Sequence, residues 1–169
     1  GMKSVILRYF NAAGADLAGE IGESHQPETH LIPLAIEAAI QQKTLNIFGD
    51  DHDTADGTCI RDFVHVVDIA AAHILALKYL EKNNNTNVFN LANDKGSSVL
   101  EVIAATEEVT GCQIKRQFRP RRDGDPSTLI GDPSKAIKHL GWEPQFSNLK
   151  TIIASAHNWS KKTGYVRRI

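Results

Sequence analysis

The chain has 169 residues, of which 41% are hydrophobic and 23% charged, and this balance predicts one soluble, globular domain with a sizeable core. A formal net charge of −1 argues against a nucleic-acid partner, and the lack of an apolar stretch of membrane-spanning length argues against a membrane partner. The two distant cysteines form no paired motif, and together with the lack of a signal-peptide pattern this predicts reduced thiols in a cytoplasmic protein.

The first predicted element is a buried strand over residues 5–10, because a short apolar run there leads into the polar Asn11. About twenty loop-like residues follow, and irregular segments of that length are usually functional. Apolar residues at helical spacing then predict a helix that begins near Leu31, with Pro33 in its first turn. Further extended segments are predicted at 45–48, 58–64, 88–91 and 114–118.

A strong amphipathic helix is predicted after residue 65. Its inner face is predicted to contain Val66, Ile69, Ala70, His73, Leu77 and Leu80. His73 is therefore interpreted as a hydrogen-bonded histidine of the core rather than as a ligand.

Three short signals mark the ends of the other helices. Ser98, with Glu101 three residues later, predicts a capping box, and Gly111 is expected to end that helix. The Asp-Pro pair at 132–133 predicts the start of a short helix, and Ser147 is predicted to cap the last one. Helices mixed with short strands indicate an α/β or α+β domain.

No metal site is predicted. The acidic turn region resembles a calcium loop, but its fifth and sixth positions hold Ala55 and Asp56 where an EF-hand needs Asp or Asn and then Gly. The seven histidines show no zinc-binding spacing. Asp62 and His65 are predicted to form local hydrogen bonds that hold Arg61 in position, rather than to act as an acid–base pair.

Several separated stretches together carry a family resemblance. In chain order they are RYFNAAGAD (8–16), THLIP (29–33), LNIFGDDHDTADGTCIRDFVHVVDIAAAH (45–73), FNLA (89–92), PRRDGDPS (120–127) and LGWEP (140–144). They resemble the C-terminal half of the UDP-glucose 4-epimerases, which are extended short-chain dehydrogenases/reductases. The resemblance covers essentially the whole chain, and its most specific parts are DGTCIRDFVHV and the basic PRR-x-GD loop.

The resemblance implies an α/β fold, α+β-like in this fragment: the C-terminal, substrate-binding portion of a Rossmann-type epimerase that lacks the N-terminal NAD-binding core. We expect a single domain over 3–169, with residues 1–2 as a tag scar and start. Residues 3–12 would be a late Rossmann-type strand and loop with an unpaired edge. We therefore expect residues 2–12 to lie outside any six- or seven-stranded parallel sheet, and we expect self-association or rearrangement of this N-terminus.

Members of the resembled family oxidise the sugar C4 hydroxyl by hydride transfer to NAD, rotate the keto sugar and return the hydride to its other face. None of the 12 glycines here forms the phosphate-binding G-x-G-x-x-G turn, and no tyrosine has the lysine of the family's catalytic Tyr-x-x-x-Lys four residues on. The resemblance thus implies NAD in the complete enzyme, no cofactor bound to this chain alone, and no catalytic residue in it. A separate N-terminal Rossmann half is the implied partner.

The resemblance places the two phosphate-contacting arginines of the family at Arg61 and Arg122. A guanidinium suits a diphosphate because its planar fork donates charge-assisted hydrogen bonds to phosphate oxygens; ordinary surface ion pairs are the alternative. Arg121, beside Arg122 on an extended segment, is expected to point elsewhere. Asp125 resembles the acid that meets the ribose hydroxyls or organises the loop, although it could instead cap the turn after Gly124.

Three further positions resemble contacts of the sugar or of the β-phosphate and ribose. Asn11 resembles an Asn that donates to a phosphate or sugar oxygen, with an Asx-turn as the alternative. His30 and Leu31 lie where the family places the start of a helix near the β-phosphate and the uracil-linked ribose. His30 stands where some members have Asn, so its role stays open.

The uracil is expected against the strand that holds Asn46, Ile47 and Phe48, between backbone and aromatic ring. For Phe48, packing in the core is an equal alternative to stacking on the base. Tyr9 and Phe10 resemble residues near the nicotinamide in a complete enzyme and are expected simply to pack in this chain.

Leu129 occupies the position, four after Asp125, that limits the room beside the sugar C2 in the family. A Tyr there resembles enzymes restricted to glucose and galactose and a small residue those that accept N-acetyl sugars, so Leu leaves both open. The main hypothesis is half of a UDP-glucose 4-epimerase that binds UDP or a UDP-hexose. The alternatives are a truncated, non-catalytic UDP-sugar-binding module and half of a related UDP-GlcNAc or UDP-pentose epimerase.

Overall fold

The computed structural model describes residues 1–164, so the end of the predicted 3–169 domain, residues 165–169, lies outside the described residues. The helices of the described part are α1 (Leu31–Gln41), α2 (Val66–Asn83), α3 (Val99–Thr110), α4 (Ser134–Leu140) and α5 (Leu149–Thr163). The strands are β1 (Val5–Tyr9), β2 (Asn11–Ala13), β3 (Thr44–Phe48), β4 (Ile60–Arg61), β5 (Phe63–His65), β6 (Asn87–Leu91), β7 (Ser97–Ser98), β8 (Lys115–Arg119) and β9 (Thr128–Leu129). None of these helices has the length and apolarity needed to span a bilayer.

The strands form small, mostly parallel sheets rather than one large sheet. β1 pairs with β6, β2 with β5 and β3 with β8, all in parallel. β4 lies between β9, which is parallel to it, and β7, which is antiparallel. Strands distant in sequence therefore meet in pairs, and helices cover them, as the predicted α/β class requires.

The apolar core consists of three clusters that share helices. One joins α1, α3 and α5 around Ile152 and Ile153, and a second packs α2 and α4 on β6 around Phe89 and Trp142. The third packs α1 and α3 on β3 around Ile47. Because α1 contributes to two clusters, its position relative to β3 and β5 is fixed by packing on both sides.

The first strand is formed but less buried than its apolar sequence predicted. β1 pairs with β6, so it has a neighbour within the chain, and in the described residues it lies in a two-stranded sheet, outside any six- or seven-stranded one. Ile6 and Tyr9 are 47% and 48% exposed. The prediction of a buried strand is therefore wrong, and so is the prediction of a rearranged N-terminus; self-association through this strand stays a prediction.

Helix α2 presents a different face to the core from the one predicted. Its buried residues are Asp68, Ile69, Ala72 and Ala76. Leu77 is 60% exposed, and Ala70 and His73 are exposed as well. Apolar residues occupy both sides of this helix, so periodicity alone could not choose the inner one. His73 is thus an exposed histidine whose Nδ1 lies 2.8 Å from the carbonyl oxygen of Ile69, and the core interpretation is wrong.

The predicted helix ends are confirmed for α3, shifted for α4 and wrong for α5. Ser98 and Glu101 form the reciprocal capping box, and Gly111 ends α3 in the left-handed region with φ 70°. In α4 the helix begins one residue later than predicted, with Pro133 as the N-cap residue. The N-cap of α5 is Asn148 rather than Ser147.

Candidate functional site

A large open cleft of about 1420 Å³ lies where β2, β3, β4 and the beginning of α1 meet. Residues along β2 and β3, the ends of β1 and β4 and the amino end of α1 line it. Ligand sites in α/β proteins are common where strands end and a helix begins. The volume of the cleft exceeds the range of roughly 300–1,000 Å³ typical of small-molecule pockets. The cleft therefore has room for a ligand larger than a typical small molecule.

Arg61 is a fixed cation on the wall of this cleft. Its Nη2 forms an ion pair with the carboxylate of Asp125 and donates to the carbonyl oxygen of Pro126 at 2.8 Å. Its Nη1 donates to the carbonyl oxygen of Ile60 at 2.6 Å. The side chain is only 15% exposed, so the guanidinium is held in one position that its neighbours determine. These three bonds use three of its five N–H donors.

Arg122 lies on the same cleft but is held by an aromatic ring. Its guanidinium carbon is 4.0 Å from the centre of the Phe48 ring, a cation–π contact. Arg121 points away and pairs with Asp51, with 2.6 Å between Nε and Oδ1. This confirms the predicted divergence of the two neighbouring arginines.

The predicted uracil strand borders the cleft in three different ways. Phe48 is half-buried and presents its ring to Arg122, so it is not simply a core residue. The side chain of Ile47 is buried in the core, which leaves its backbone for any ligand contact. Asn46 is exposed, and its Oδ1 accepts a hydrogen bond from Arg119 Nε at 2.9 Å. A flat base at this strand would meet the Phe48 ring and the side-chain amide group of Asn46.

Asn11 borders the cleft at the beginning of β2. Both its backbone N–H and its side-chain Nδ2 donate to the carbonyl oxygen of Asp62, at 3.0 and 2.7 Å. The amide group is therefore tied across the β2–β5 pair rather than in an Asx-turn. This contact fixes the orientation of the Asn11 side chain at the cleft wall.

His30 and Leu31 lie at the beginning of α1, and both border the cleft. His30 is the N-cap residue, yet its side chain makes no capping bond. Its Nδ1 instead lies 2.8 Å from Oε1 of Glu28, and its ring is exposed. The first N–H groups of α1 and an imidazole thus face the cleft together.

Leu129, Tyr9 and Phe10 are placed differently from one another. Leu129 lies on β9, in register with Arg61 of β4, and does not border the cleft among the described residues. Tyr9 and Phe10 both border it. Phe10 packs close to Gly131, where an added Cβ would meet its ring at 2.3 Å. Tyr9 is nearly half exposed, so the expectation that it simply packs is wrong.

Asp62 and His65 do not hold Arg61. Asp62 accepts hydrogen bonds from the backbone N–H groups of Asn93 and Gly131, at 2.9 and 3.2 Å, and burial raises the pKa of its carboxyl group. His65 forms its side-chain bonds with Val67 and with Ser155, which is 90 residues away in sequence. The prediction that these residues hold Arg61 is therefore wrong, since none of these bonds involves the arginine. Apart from the local bond to Val67, they connect segments that are distant in sequence.

Cys59 and His52 lie close to Asp125, and neither was predicted as a site residue. Cys59 borders the cleft, is nearly buried, and is a free thiol. Burial raises the pKa of this thiol, although Arg61 acts in the opposite direction. At neutral pH it is therefore a neutral thiol, which argues against a nucleophilic role.

The described helices do not provide the glycine-rich phosphate cradle of a dinucleotide site. The N-cap residues of the five described helices are His30, His65, Ser98, Pro133 and Asn148. None of these helices follows a G-x-G-x-x-G turn, whose backbone N–H groups would bind a pyrophosphate.

The chain is similar to UDP-glucose 4-epimerases in both sequence and structure. A curated relative, the UDP-glucose 4-epimerase of Halalkalibacterium halodurans, is 51% identical over 163 residues, which are 96% of this chain and 49% of the relative. The UDP-glucose 4-epimerase structure from Brucella ovis in complex with NAD has a TM-score of 0.88 and 45% identity, covering 94% of this chain and 50% of that one. The structure from Bifidobacterium longum in complex with NAD+ and UDP has a TM-score of 0.89 and 39% identity, covering 96% and 48%.

Each of these proteins matches nearly all of this chain with about half of its own length. The chain spans about half the length of the curated relatives it matches, and its fold is that of the corresponding half of the solved structures. The family model described as "NAD dependent epimerase/dehydratase family" matches residues 1–92. The chain belongs to the NAD dependent epimerase/dehydratase family.

Proposed function

We propose that the chain binds a UDP-hexose in this cleft, as the substrate half of a UDP-glucose 4-epimerase that interconverts UDP-glucose and UDP-galactose in galactose metabolism. One observation carries the proposal: Arg61 and Arg122 both line the cleft, Arg61 paired with the Asp125 carboxylate and Arg122 against the Phe48 ring. Guanidinium groups suit a diphosphate, an aromatic ring suits the uracil base, and a carboxylate can accept from the ribose hydroxyl groups.

The two arginines would contribute to phosphate binding in different ways, because their present contacts differ. Arg61 is paired and nearly buried, so it offers a fixed donor set to one phosphate. Arg122 is exposed, and its contact with Phe48 is worth only about 0.5–1 kcal/mol at such a site. It can therefore leave the ring when a phosphate arrives, which frees the ring for the base. Asn11 and the amino end of α1 complete the wall.

The function of the complete enzyme requires a second half with an NAD site. β1 has no partner on its outer edge among the described residues, and the exposed face of α2 carries Ile74 and Leu77. These surfaces suit an N-terminal Rossmann half better than water. A cytoplasmic location is consistent with the free thiols of Cys59 and Cys112.

Calorimetric titration with UDP tests the binding proposal. We expect weak, saturable binding to the parent chain and at least about tenfold weaker binding to Arg122→Ala, because a hydrogen bond to a charged group contributes about 1.5–3 kcal/mol. Arg121→Ala is the matched control, since Arg121 pairs with Asp51 outside the cleft, and it should bind UDP like the parent. Equal affinity of the parent and Arg122→Ala, or no UDP binding at all, would contradict the site assignment.

A turnover assay distinguishes the substrate half from a complete enzyme. The purified 169-residue chain, supplied with NAD and UDP-galactose, is expected to form no UDP-glucose, because it lacks the Tyr-x-x-x-Lys pair and the glycine-rich turn. The full-length relative from Halalkalibacterium halodurans serves as the positive control. Epimerase activity that follows the pure chain through purification would show that catalysis does not require a separate NAD-binding half.

A further inference from the structure

Three potential metal ligands lie together in the segment just before α1. The Nδ1 atom of His30 is 2.8 Å from Oε1 of Glu28, and the Nδ1 atom of His25 is 3.9 Å from the same oxygen. One ligand atom from each of the three residues lies within 4.8 Å of the others, and the two imidazole rings have their centres 5.1 Å apart. The spacing His-x-x-Glu-x-His matches no common zinc motif, which is why the sequence did not reveal this group.

The carboxylate of Glu28 is fixed before any ligand arrives. Its Oε1 accepts hydrogen bonds from the backbone N–H groups of Thr29 and His30, both at 2.8 Å. Its side chain is 1% exposed, whereas those of His25 and His30 are 46% and 56% exposed. A buried, oriented carboxylate thus lies beneath two imidazoles that solvent can reach, and such hydrogen bonds orient ligating carboxylates in metal sites.

Two carboxylates lie beside the imidazole of His30. Oε2 of Glu23 is 4.0 Å from Nδ1 of His30, and Oε1 of Glu28 is 2.8 Å from the same nitrogen. Imidazole with carboxylate is the donor set that suits zinc, copper and nickel, whereas calcium and magnesium prefer oxygen alone.

We propose that His25, Glu28 and His30 form a binding site for a divalent transition-metal cation, independent of the proposed epimerase function. Zinc ligands at about 2.0–2.2 Å in a tetrahedron lie roughly 3.3 Å from one another. The separations of 2.8 and 3.9 Å between Glu28 Oε1 and the two Nδ1 atoms bracket that value, and the exposed rings of His25 and His30 can adjust to complete the site. Binding at Nδ1 selects the tautomer with its proton on Nε2, and Glu23 or water takes the fourth position.

Binding of metal would also act on the cleft. Glu23, Thr29 and His30 all border the cleft, so a cation there fixes the His30 ring at the cleft wall. The same cation ties the loop before α1 to the amino end of that helix. Zn²⁺ binding at these three residues does not require a nucleotide, so a chain that fails to bind UDP would still be expected to bind the metal.

Titration of the untagged chain with Zn²⁺ alone tests the proposal. We expect saturable binding of one Zn²⁺ by calorimetry, and at least about tenfold weaker binding to His25→Ala, in which an exposed ligand is removed. His139→Ala, an exposed histidine on α4, is the matched control and should bind like the parent. A Co²⁺ titration gives a second readout, since the visible absorption of the tetrahedral ion should be lost in His25→Ala.

Two further variants keep the result decisive. Cys59→Ser is expected to leave Zn²⁺ binding unchanged, although Cys59, His52 and Asp125 also lie within ligand distance of one another. Glu28→Gln retains the size of the side chain, so its circular dichroism spectrum should be that of the parent. Its affinity for Zn²⁺ should be lower, because an amide oxygen is a weaker ligand than a carboxylate. The proposal is overturned if the parent does not bind Zn²⁺, if His25→Ala binds it like the parent, or if Cys59→Ser alone abolishes binding.

Discussion

Replacement of Asp68 by alanine is expected to lower the free energy of unfolding by about 3–5 kcal/mol. The carboxylate of Asp68 is almost fully buried and accepts three hydrogen bonds from the segment before α5. Its Oδ1 accepts from the backbone N–H of Gln145 at 2.9 Å, and its Oδ2 accepts from the N–H of Phe146 at 2.9 Å and from Oγ of Ser147 at 2.6 Å. Alanine would remove the acceptor of all three donors, of which the Ser147 hydroxyl group is buried and the two N–H groups are partly buried. An unsatisfied buried donor costs about 1–3 kcal/mol.

The matched control is Asp132→Ala. Asp132 also accepts a backbone N–H, that of Ser134 at 2.9 Å, and the hydroxyl group of the same residue, but it does so on the surface. Water can replace an exposed acceptor, so this substitution should cost about 1 kcal/mol. Urea unfolding followed by circular dichroism measures both variants. Similar losses for the two would show that the Asp68 hydrogen bonds do not stabilise the fold as argued.

The Asp68 contacts also explain why the cap of α5 was predicted one residue too early. Ser147 is a good N-cap residue by type, but its hydroxyl group donates to Asp68 and accepts from the backbone N–H of His65 at 3.0 Å. Asn148 therefore caps α5 by accepting from Thr151 N–H at 2.9 Å. The competing partner lies about eighty residues away in sequence, so no local rule could have identified it.

Features that depend on near neighbours were predicted well from the sequence. The capping box of Ser98 and Glu101 is complete within four residues, and it formed as predicted. The opposite directions of Arg121 and Arg122 follow from the alternation of side chains on an extended segment. The element types were right for the same reason, because apolar spacing and turn residues are local signals.

Features that depend on the burial of one face against distant elements were predicted less well. The inner face of α2 is decided by its packing on β1, β5 and α4, not by its own sequence, since Ile69 and Leu77 are equally apolar and only Ile69 is buried. In the candidate site, the cleft-lining arginines came from the family resemblance, whereas the burial of Cys59 and His52 and the grouping of His25 with His30 required the fold.

Acidification is expected to destabilise the protein through His65, the buried N-cap residue of α2. Its Nδ1 accepts from the N–H of Val67 at 3.1 Å. Its Nε2 lies 3.0 Å from Oγ of Ser155, whose own proton is donated to the carbonyl oxygen of Ile152 at 2.9 Å. The imidazole must therefore donate from Nε2, and a second proton on Nδ1 would face the Val67 N–H. The neutral form is the one that the fold accommodates.

The direction of the pH effect follows from the pKa of this group. Burial lowers the pKa of His65 below its usual 6.5, and the nearby Asp68 opposes this only in part. The unfolded chain then binds a proton near pH 6.5 while the native chain does not, so stability is full above that pH and falls as the pH decreases towards the lowered native pKa. One such histidine changes the free energy of unfolding by at most about 1.4 kcal/mol per pH unit.

Comparison of parent and His65→Asn between pH 7.5 and pH 5 isolates this contribution. Asparagine keeps an acceptor for the Val67 N–H, so the variant should fold, with a loss of about 1–3 kcal/mol at pH 7.5 from the missing Ser155 bond and ring. Its stability should then decline less steeply with acid than that of the parent.

Other groups contribute to the slope of both proteins and cancel in this comparison. His157 has a pKa lowered by burial and by Lys161, and it acts in the same direction as His65, whereas the raised pKa of Asp62 acts in the opposite one. The exposed His73 provides the control, because His73→Ala should retain the slope of the parent. Equal slopes for His65→Asn and the parent would mean that the proton enters elsewhere, and that His65 does not set the acid limit of the fold on which the cleft is built.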